Sequence, residues 1–327
     1  MTSARAVRRL CGFLLAFSSL AGAQTNPDAP KDVQVHTWHV NRNVYLLVPD
    51  GGRSNVTVQI GEEGVLLVDT MTDPLVPKIM AEIRKLSNLP VRFIINTSSD
   101  PDHTLGNVAL VASGERSPQP RPLGAPGLAT IVASENASTR MVTPAAGDPV
   151  LRADGWPNDA YFERKRDFGF NGEAIQIFHE PAAHTDGDSI VHFRSADVIS
   201  AGDVFLTTGF PVVDVRRGGT IQGILDALNH IIDIAVPEDH EEGGTMIIPG
   251  HGRVCDEADV AEYRNMLTII RDRVADLKQK GMTLEQVQAA RPARDYERRY
   301  GSNSGWTTAM FVESVYRTVG VKTGMSK

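Results

Sequence analysis

Asn96-Thr97-Ser98-Ser99-Asp100-Pro101-Asp102-His103-Thr104-Leu105-Gly106-Asn107 follows directly on the β-branched run Val91 to Ile95 of a 327-residue chain. Its oxygen-bearing side chains and its histidine therefore stand just past a predicted strand end, where a rigid scaffold can aim ligands from a loop. The setting recurs further on. His184 lies in Pro181-Ala182-Ala183-His184-Thr185-Asp186-Gly187-Asp188, Asp203 in Ser200-Ala201-Gly202-Asp203, and His251 in Ile248-Pro249-Gly250-His251-Gly252, each after an apolar run and near glycine. An acidic loop alone reads as turn chemistry, and a single histidine reads as a satisfied turn residue. The ordered series is what points to metal binding.

Outward from this segment, Val35 to Val40, Val44 to Val48, Asn55 to Ile60 and Val65 to Asp69 are short β-branched runs. Turn residues such as Asp50-Gly51-Gly52 separate them, as in a meander of antiparallel strands. Leu75 to Leu86 has apolar residues at helical spacing (Leu75, Val76, Ile79, Met80, Ile83), and Val91 to Ile95 returns to strand. Pro118, Pro120, Pro122 and Pro126 predict a loop, and a second strand-rich half is expected from near Ile131. In that half Ala174 to Phe178, Ser189 to Phe193, Val198 to Ala201 and Thr245 to Ile248 read as strands. Ile221 to Ile234 and Ala258 to Lys280 read as helices. The tail from Thr283 to Val319 is helical in pattern, with Trp306, Met310, Phe311, Val315 and Tyr316 forming a stripe suited to core packing. Two such halves suggest two sheets packed face to face with helices outside.

In order, spacing and strand-end context these segments resemble the metallo-β-lactamase superfamily over nearly all of the chain that would follow an N-terminal signal segment. The resemblance implies an α/β (α+β) fold, a four-layer αββα sandwich, with the ligand segments at one edge. The superfamily's first segment usually reads H-x-H-x-D-H; here Ser98 and Asp100 stand at the two leading histidine positions. Carried over residue by residue, the second metal position keeps Asp102, His103 and His251, with Asp203 as a carboxylate shared between two metals. The first position keeps His184 and Asp203, with Asp100 as a carboxylate in place of imidazole, since carboxylates ligate zinc at about 2.0–2.2 Å. Ser98 is a poor ligand, better suited to holding water. Zinc, as one or two ions, is the expected cofactor, and the exchange of nitrogen for oxygen makes manganese or iron plausible at the first position.

The mechanism implied is hydrolysis by a metal-activated water, with Asp102 or Asp100 orienting or deprotonating it. Asp69, after the Val65 to Val68 run, is either a carboxylate bracing a ligand histidine or a turn former. His36, His39, His179 and His192 fall in strand patterns and are left out of the site. Cys255 is expected to be a partly buried, chemically silent cysteine. Trp156, Tyr161, Phe168 and Phe210 either rim a pocket or pack.

At the N-terminus Arg5, Arg8 and Arg9 precede an apolar run from Leu10 to Leu20 and the small residues Ala21-Gly22-Ala23. This pattern predicts a signal peptide over 1–23, followed by one domain over 24–327 with a C-terminal helical extension. An exported protein, periplasmic or secreted, is expected, without stable membrane insertion after cleavage, because the apolar run is shorter than the roughly 20 residues that span a bilayer. Removing that segment takes the formal charge from −7 to −10 and leaves Cys255 without an internal disulfide partner. An acidic chain without Lys or Arg clusters disfavours nucleic acid and favours a small-molecule substrate. The expected activity is hydrolysis of a small ester, lactone, amide or thioester. A β-lactamase is one alternative. A protein that binds metal or ligand without catalysis is another, and a redox role on a carboxylate-rich site is a third.

Overall fold

The computed structural model describes residues 33–113, 129–240, 243–301 and 305–321. The expected signal segment and the loop from Pro118 to Pro126 lie outside them. The strands are β1 (Val35–Asn41), β2 (Val44–Pro49), β3 (Val56–Gly61), β4 (Gly64–Val68), β5 (Val91–Ile95), β6 (Thr130–Ser134), β7 (Asp159–Tyr161), β8 (Lys165–Phe170), β9 (Glu173–Glu180), β10 (Asp188–Phe193), β11 (Val198–Ser200) and β12 (Met246–Ile248). The helices are α1 (Val76–Leu86), α2 (Pro101–Thr104), α3 (Asn107–Ala112), α4 (Glu135–Val142), α5 (Ile221–Ile234), α6 (Glu257–Gln279), α7 (Leu284–Ala289), α8 (Glu297–Tyr300) and α9 (Thr308–Thr318).

Among the described residues, β1 to β7 form one sheet in sequence order, and a second sheet runs β12-β11-β10-β9-β8. The alternation of side chains along each strand builds the layers. In β4, Val65 and Leu67 face outward onto α1, where they pack with Ile79 and Ile83. Leu66 and Val68 face inward, against Ile177, Val191 and Ile248 of the second sheet. In the second sheet Ile190, Ile199 and Ile247 face outward onto Ile224, Leu228 and Leu267 of α5 and α6. The central strands are thus apolar on both sides, as the middle layers of an αββα sandwich require. Fully burying one such aliphatic side chain stabilises the fold by roughly 1.5–3 kcal/mol.

The division between halves falls later than expected. β6 and β7 do not start the second half; they run parallel to β5 and complete the first sheet. With α2 and α3 between β5 and β6, the chain makes a strand-helix-strand crossover, and such a connection returns a parallel strand to the same sheet. The 96–107 segment is also more ordered than a loop. It forms α2 and α3, with Pro101 at the start of α2, where its missing N–H costs nothing. In the tail, Phe311 and Val315 of α9 enter the core beside α5 and α6, while Met310 is exposed.

Candidate metal centre

The ligand segments come together because strands of one direction end at one edge of the sandwich. β4 and β5 are parallel, as are β11 and β12. Their C-terminal ends release Asp69, the 96–104 segment, Asp203 and His251, and the β9–β10 connection adds His184. Among the described residues two ligand groups form, Asp102 with His103 and His251, and Asp100 with His184 and Asp203. Within each group the ligand atoms lie within 4.8 Å of one another. Asp203 joins the two groups: its Oδ1 is 3.3 Å from Nε2 of His103 and 3.4 Å from Nε2 of His251. All six residues named from the sequence are therefore neighbours.

The histidine ligands are backed by neighbouring oxygens. His103 Nδ1 meets Asp69 Oδ2 at 2.7 Å, and Asp69 also accepts the backbone N–H of Thr97 at 2.8 Å and its hydroxyl at 2.6 Å. Asp69 therefore takes the bracing role and not that of a simple turn former, although its backbone is left-handed, with φ of 65°. The His103 carbonyl accepts from the Thr70 hydroxyl at 3.0 Å and from Asn96 Nδ2 at 3.2 Å. Asn107 in turn donates to Asn96 Oδ1 at 2.8 Å, so both asparagines of the quoted segment serve as scaffold. His184 Nδ1 lies 3.5 Å from Asp188 Oδ1, and His251 Nδ1 lies 3.2 Å from the Gly52 carbonyl. Asn55 donates to the Pro249 and Gly252 carbonyls at 2.9 and 3.0 Å, fixing the turn that carries His251. Within that turn a Cβ at Gly250 would stand 2.2 Å from Asp203 Oδ1, so only glycine fits there without displacing the shared carboxylate.

Ser98 does not stand open as a water holder. It is buried, and its hydroxyl accepts the backbone N–H of Asp100 at 3.1 Å, shaping the turn into α2. Asp100 is buried as well, with Oδ2 3.3 Å from His184 Nε2 and Oδ1 in contact with the Arg217 guanidinium. Asp102 differs: its side chain is 41% exposed, with Oδ2 3.3 Å from His251 Nε2.

The electrostatics are those of carboxylates gathered around imidazoles. Burial opposes charge on His184, but Asp100, Asp188 and Asp203 outweigh it and raise its pKa to about 10. Burial likewise opposes charge on His103 and His251, yet Asp203 and its companions hold both above the ordinary imidazole value. Asp203 is held well below the carboxylate range by His103 and His251 in spite of its burial. For Asp100 burial prevails over His184 and Arg217, and its pKa is raised.

The buried Nε2 of His103 and Oδ1 of Asp203 have no hydrogen-bond partner although they face each other. Buried polar atoms without partners are rare, and two opposed donor atoms of nitrogen and oxygen type fit a divalent cation. The residues present thus suit the metal implied by the sequence resemblance, with Asp102, His103, His251 and Asp203 able to hold one ion and Asp100, His184 and Asp203 another.

The remaining sequence candidates sort simply. Tyr161 is buried with its hydroxyl 2.6 Å from that of Ser189, Phe168 packs on Phe93 with ring centroids 5.1 Å apart, and Phe210 stacks on Phe311 at 4.6 Å. Trp156 donates to the Leu151 carbonyl at 2.9 Å and packs among Leu105 and Val108. These rings are packing residues. His36 pairs with Asp50 at 2.8 Å, His39 with the Arg42 carbonyl at 2.7 Å, and His179 with the Asp186 carbonyl at 2.8 Å, all outside the ligand groups. His192 is buried in the second sheet. Sequence reasoning passed over Asp188, Asp214 and Arg217. Asp188 lies four residues after His184, a spacing that offered a signal, whereas Arg217 had none.

Cys255 is buried in the core beside Ile247, and burial, with Asp259 nearby, pushes its thiol up to about 12. It is expected to resist Ellman's reagent at pH 8 in the native protein and to react once guanidinium unfolds the chain. Peptide mapping of the labelled product checks this, and fast labelling of Cys255 in the folded protein would contradict it.

The chain belongs to the metallo-beta-lactamase superfamily, whose family model matches residues 49–251. The superfamily consists mostly of metallo-hydrolases, and this chain has its hydrolase-like fold. Among solved structures it is similar to the inverting sec-alkylsulfatase Pisa1 from Pseudomonas sp., with a TM-score of 0.62 and 14% identity over 89% of this chain and 51% of that one. It therefore spans about half the length of the alkylsulfatase. It is also similar to a metallo-beta-lactamase from Pontibacter korlensis (TM-score 0.53, 15% identity, 72% of this chain and 99% of that one). The DIM-1 metallo-beta-lactamase gives a TM-score of 0.52 at 16% identity, with 72% of this chain and 99% of that one covered. No curated protein sequence matches the chain.

Proposed function

We propose that the chain is an exported metal-dependent hydrolase acting on a small ester, lactone, amide or thioester. The observation that carries this reading is the convergence of Asp100, Asp102, His103, His184, Asp203 and His251 at one sandwich edge, with opposed ligand atoms left unpartnered. A bound divalent ion supplies Lewis acidity and acidifies water in such a site. Zinc suits the nitrogen-rich half, and manganese or iron suits the half in which oxygens outnumber nitrogen.

The chain's own residues divide the remaining work. Asp69 and the Gly52 carbonyl orient the His103 and His251 imidazoles, and Asp188 lies 3.5 Å behind His184. Of the two carboxylates considered for proton transfer, Asp102 is the better placed. Its side chain reaches solvent, and His103 and His251 keep it ionised against its desolvation. Asp100 is buried and tied to Arg217, which suits a ligand and not a proton carrier.

A small cavity of about 80 Å³ borders this edge, lined by Ser99, Pro101, Leu105, Met141, Arg140 and Arg217. Its wall mixes apolar side chains with the guanidinium groups of Arg140 and Arg217. The acidic net charge of −7 speaks against nucleic acid as partner. No helix among the described residues is long and apolar enough to cross a membrane.

The test is metal analysis followed by turnover of p-nitrophenyl esters, lactones, a thioester, nitrocefin and a secondary alkyl sulfate, with and without a chelator. Chelator-sensitive hydrolysis that disappears in His103→Ala and His251→Ala is expected. Stoichiometric metal without turnover across the panel would mark a binding protein instead.

A further inference from the structure

We infer that Arg217 is a positioning residue that allows Asp100 to serve as a metal ligand at a position where the superfamily usually has histidine. The inference rests on the metal-site reading above. A ligand imidazole has a second nitrogen that can donate, so an acidic or carbonyl oxygen can fix it from behind. Asp69 and the Gly52 carbonyl do this here for His103 and His251, and Asp188 stands 3.5 Å from His184 Nδ1. A carboxylate has no proton to donate. Its free oxygen must instead accept, so a carboxylate ligand is held by a donor placed behind it.

Arg217 meets that need. Its Nη1 donates to Asp100 Oδ1, which leaves Oδ2 facing His184 Nε2 at 3.3 Å. Its Nε donates to Asp214 Oδ2 at 2.7 Å, so the guanidinium is gripped on two sides and the Asp214 charge offsets its own. Asp214 also accepts the backbone N–H groups of Arg216 and Arg217 at 2.9 and 3.1 Å, which sets the short turn that carries the arginine.

The same turn holds the other ligand peculiar to this half of the site. Asp214 N donates to the His184 carbonyl at 2.9 Å, and the Arg217 carbonyl accepts from Asp186 N at 2.9 Å and from Arg140 Nη2 at 3.2 Å. One turn therefore fixes His184 through its backbone and Asp100 through a side chain. Among the described residues no hydrogen bond or ion pair joins it to Asp102, His103 or His251, so its loss should be felt chiefly by one ion.

The experiment counts ions per chain and their affinities in the full chain, by elemental analysis after dialysis and by titration with cobalt(II), following the d–d absorption. The wild type is expected to take two ions. Arg217→Met is expected to keep one with unchanged affinity and to bind the other about 10- to 100-fold more weakly. Should Arg217→Met not fold, as judged by circular dichroism, Arg217→Lys decides. It keeps the charge but cannot hold Asp100 and Asp214 together, so the weaker ion should lose about tenfold in affinity. A variant that binds both ions like the wild type overturns the inference, as does a wild type that takes only one ion. A wild type that takes none overturns the metal-site reading too, and is recognised because it fails before any variant is made.

Discussion

Replacing Asp203 by alanine is expected to remove measurable hydrolysis and to release both ions. The side chain belongs to the group of Asp100 and His184, and its Oδ1 also lies within 3.4 Å of both His103 and His251 of the other group. Polarisation by a bound ion contributes several kcal/mol to a hydrolytic transition state. Losing about 4 kcal/mol of it lowers the rate by about 10³-fold. The loss should exceed that of Asp102→Ala, because Asp102 sits at the exposed rim and belongs to one group alone. Rates for the two variants, with metal content measured on the same samples, check the order. Equal metal content in wild type and Asp203→Ala would refute the shared role.

Gly250→Ala should do comparable damage through one methyl group. Its Cβ would come within 2.2 Å of Asp203 Oδ1 and within 2.8 Å of the Gly202 backbone. The Gly250 N–H also donates to the Gly202 carbonyl at 2.8 Å, so the two turns cannot part without losing that bond. Overpacking of this kind costs about 1–3 kcal/mol of stability. The more telling effect is on metal binding, since the carboxylate must move for the methyl to enter. A fall of about tenfold or more in affinity is expected for both ions, as for loss of a supporting group. Denaturant midpoints and cobalt titrations separate the two effects. Unaltered affinity in a folded variant would show that Asp203 adapts freely.

Much of this site could be read before any coordinates. Asp100, Asp102, His103, His184, Asp203 and His251 follow short apolar runs, and a strand end is a local property that alternation and turn residues announce. Asp69 was recognisable for the same reason, although its choice between bracing and turn formation was settled by the 2.7 Å contact with His103. The turn-shaping role of Ser98 was not legible because the partner of its hydroxyl, the Asp100 N–H, depends on how the chain bends into α2. The aromatic residues were ambiguous because a ring in a loop and a ring in a core have the same sequence.

From the sequence came the strand and helix segments, by short-range periodicity, and, through the resemblance to the superfamily, the layered αββα architecture and the set of candidate ligand residues. Only the tertiary structure assigned β6 and β7 to the first sheet and set Arg217 against Asp100. That last pair is separated by 117 residues. Contacts of such range are made by the packing of whole layers, and the amino acids flanking either partner carry no trace of them.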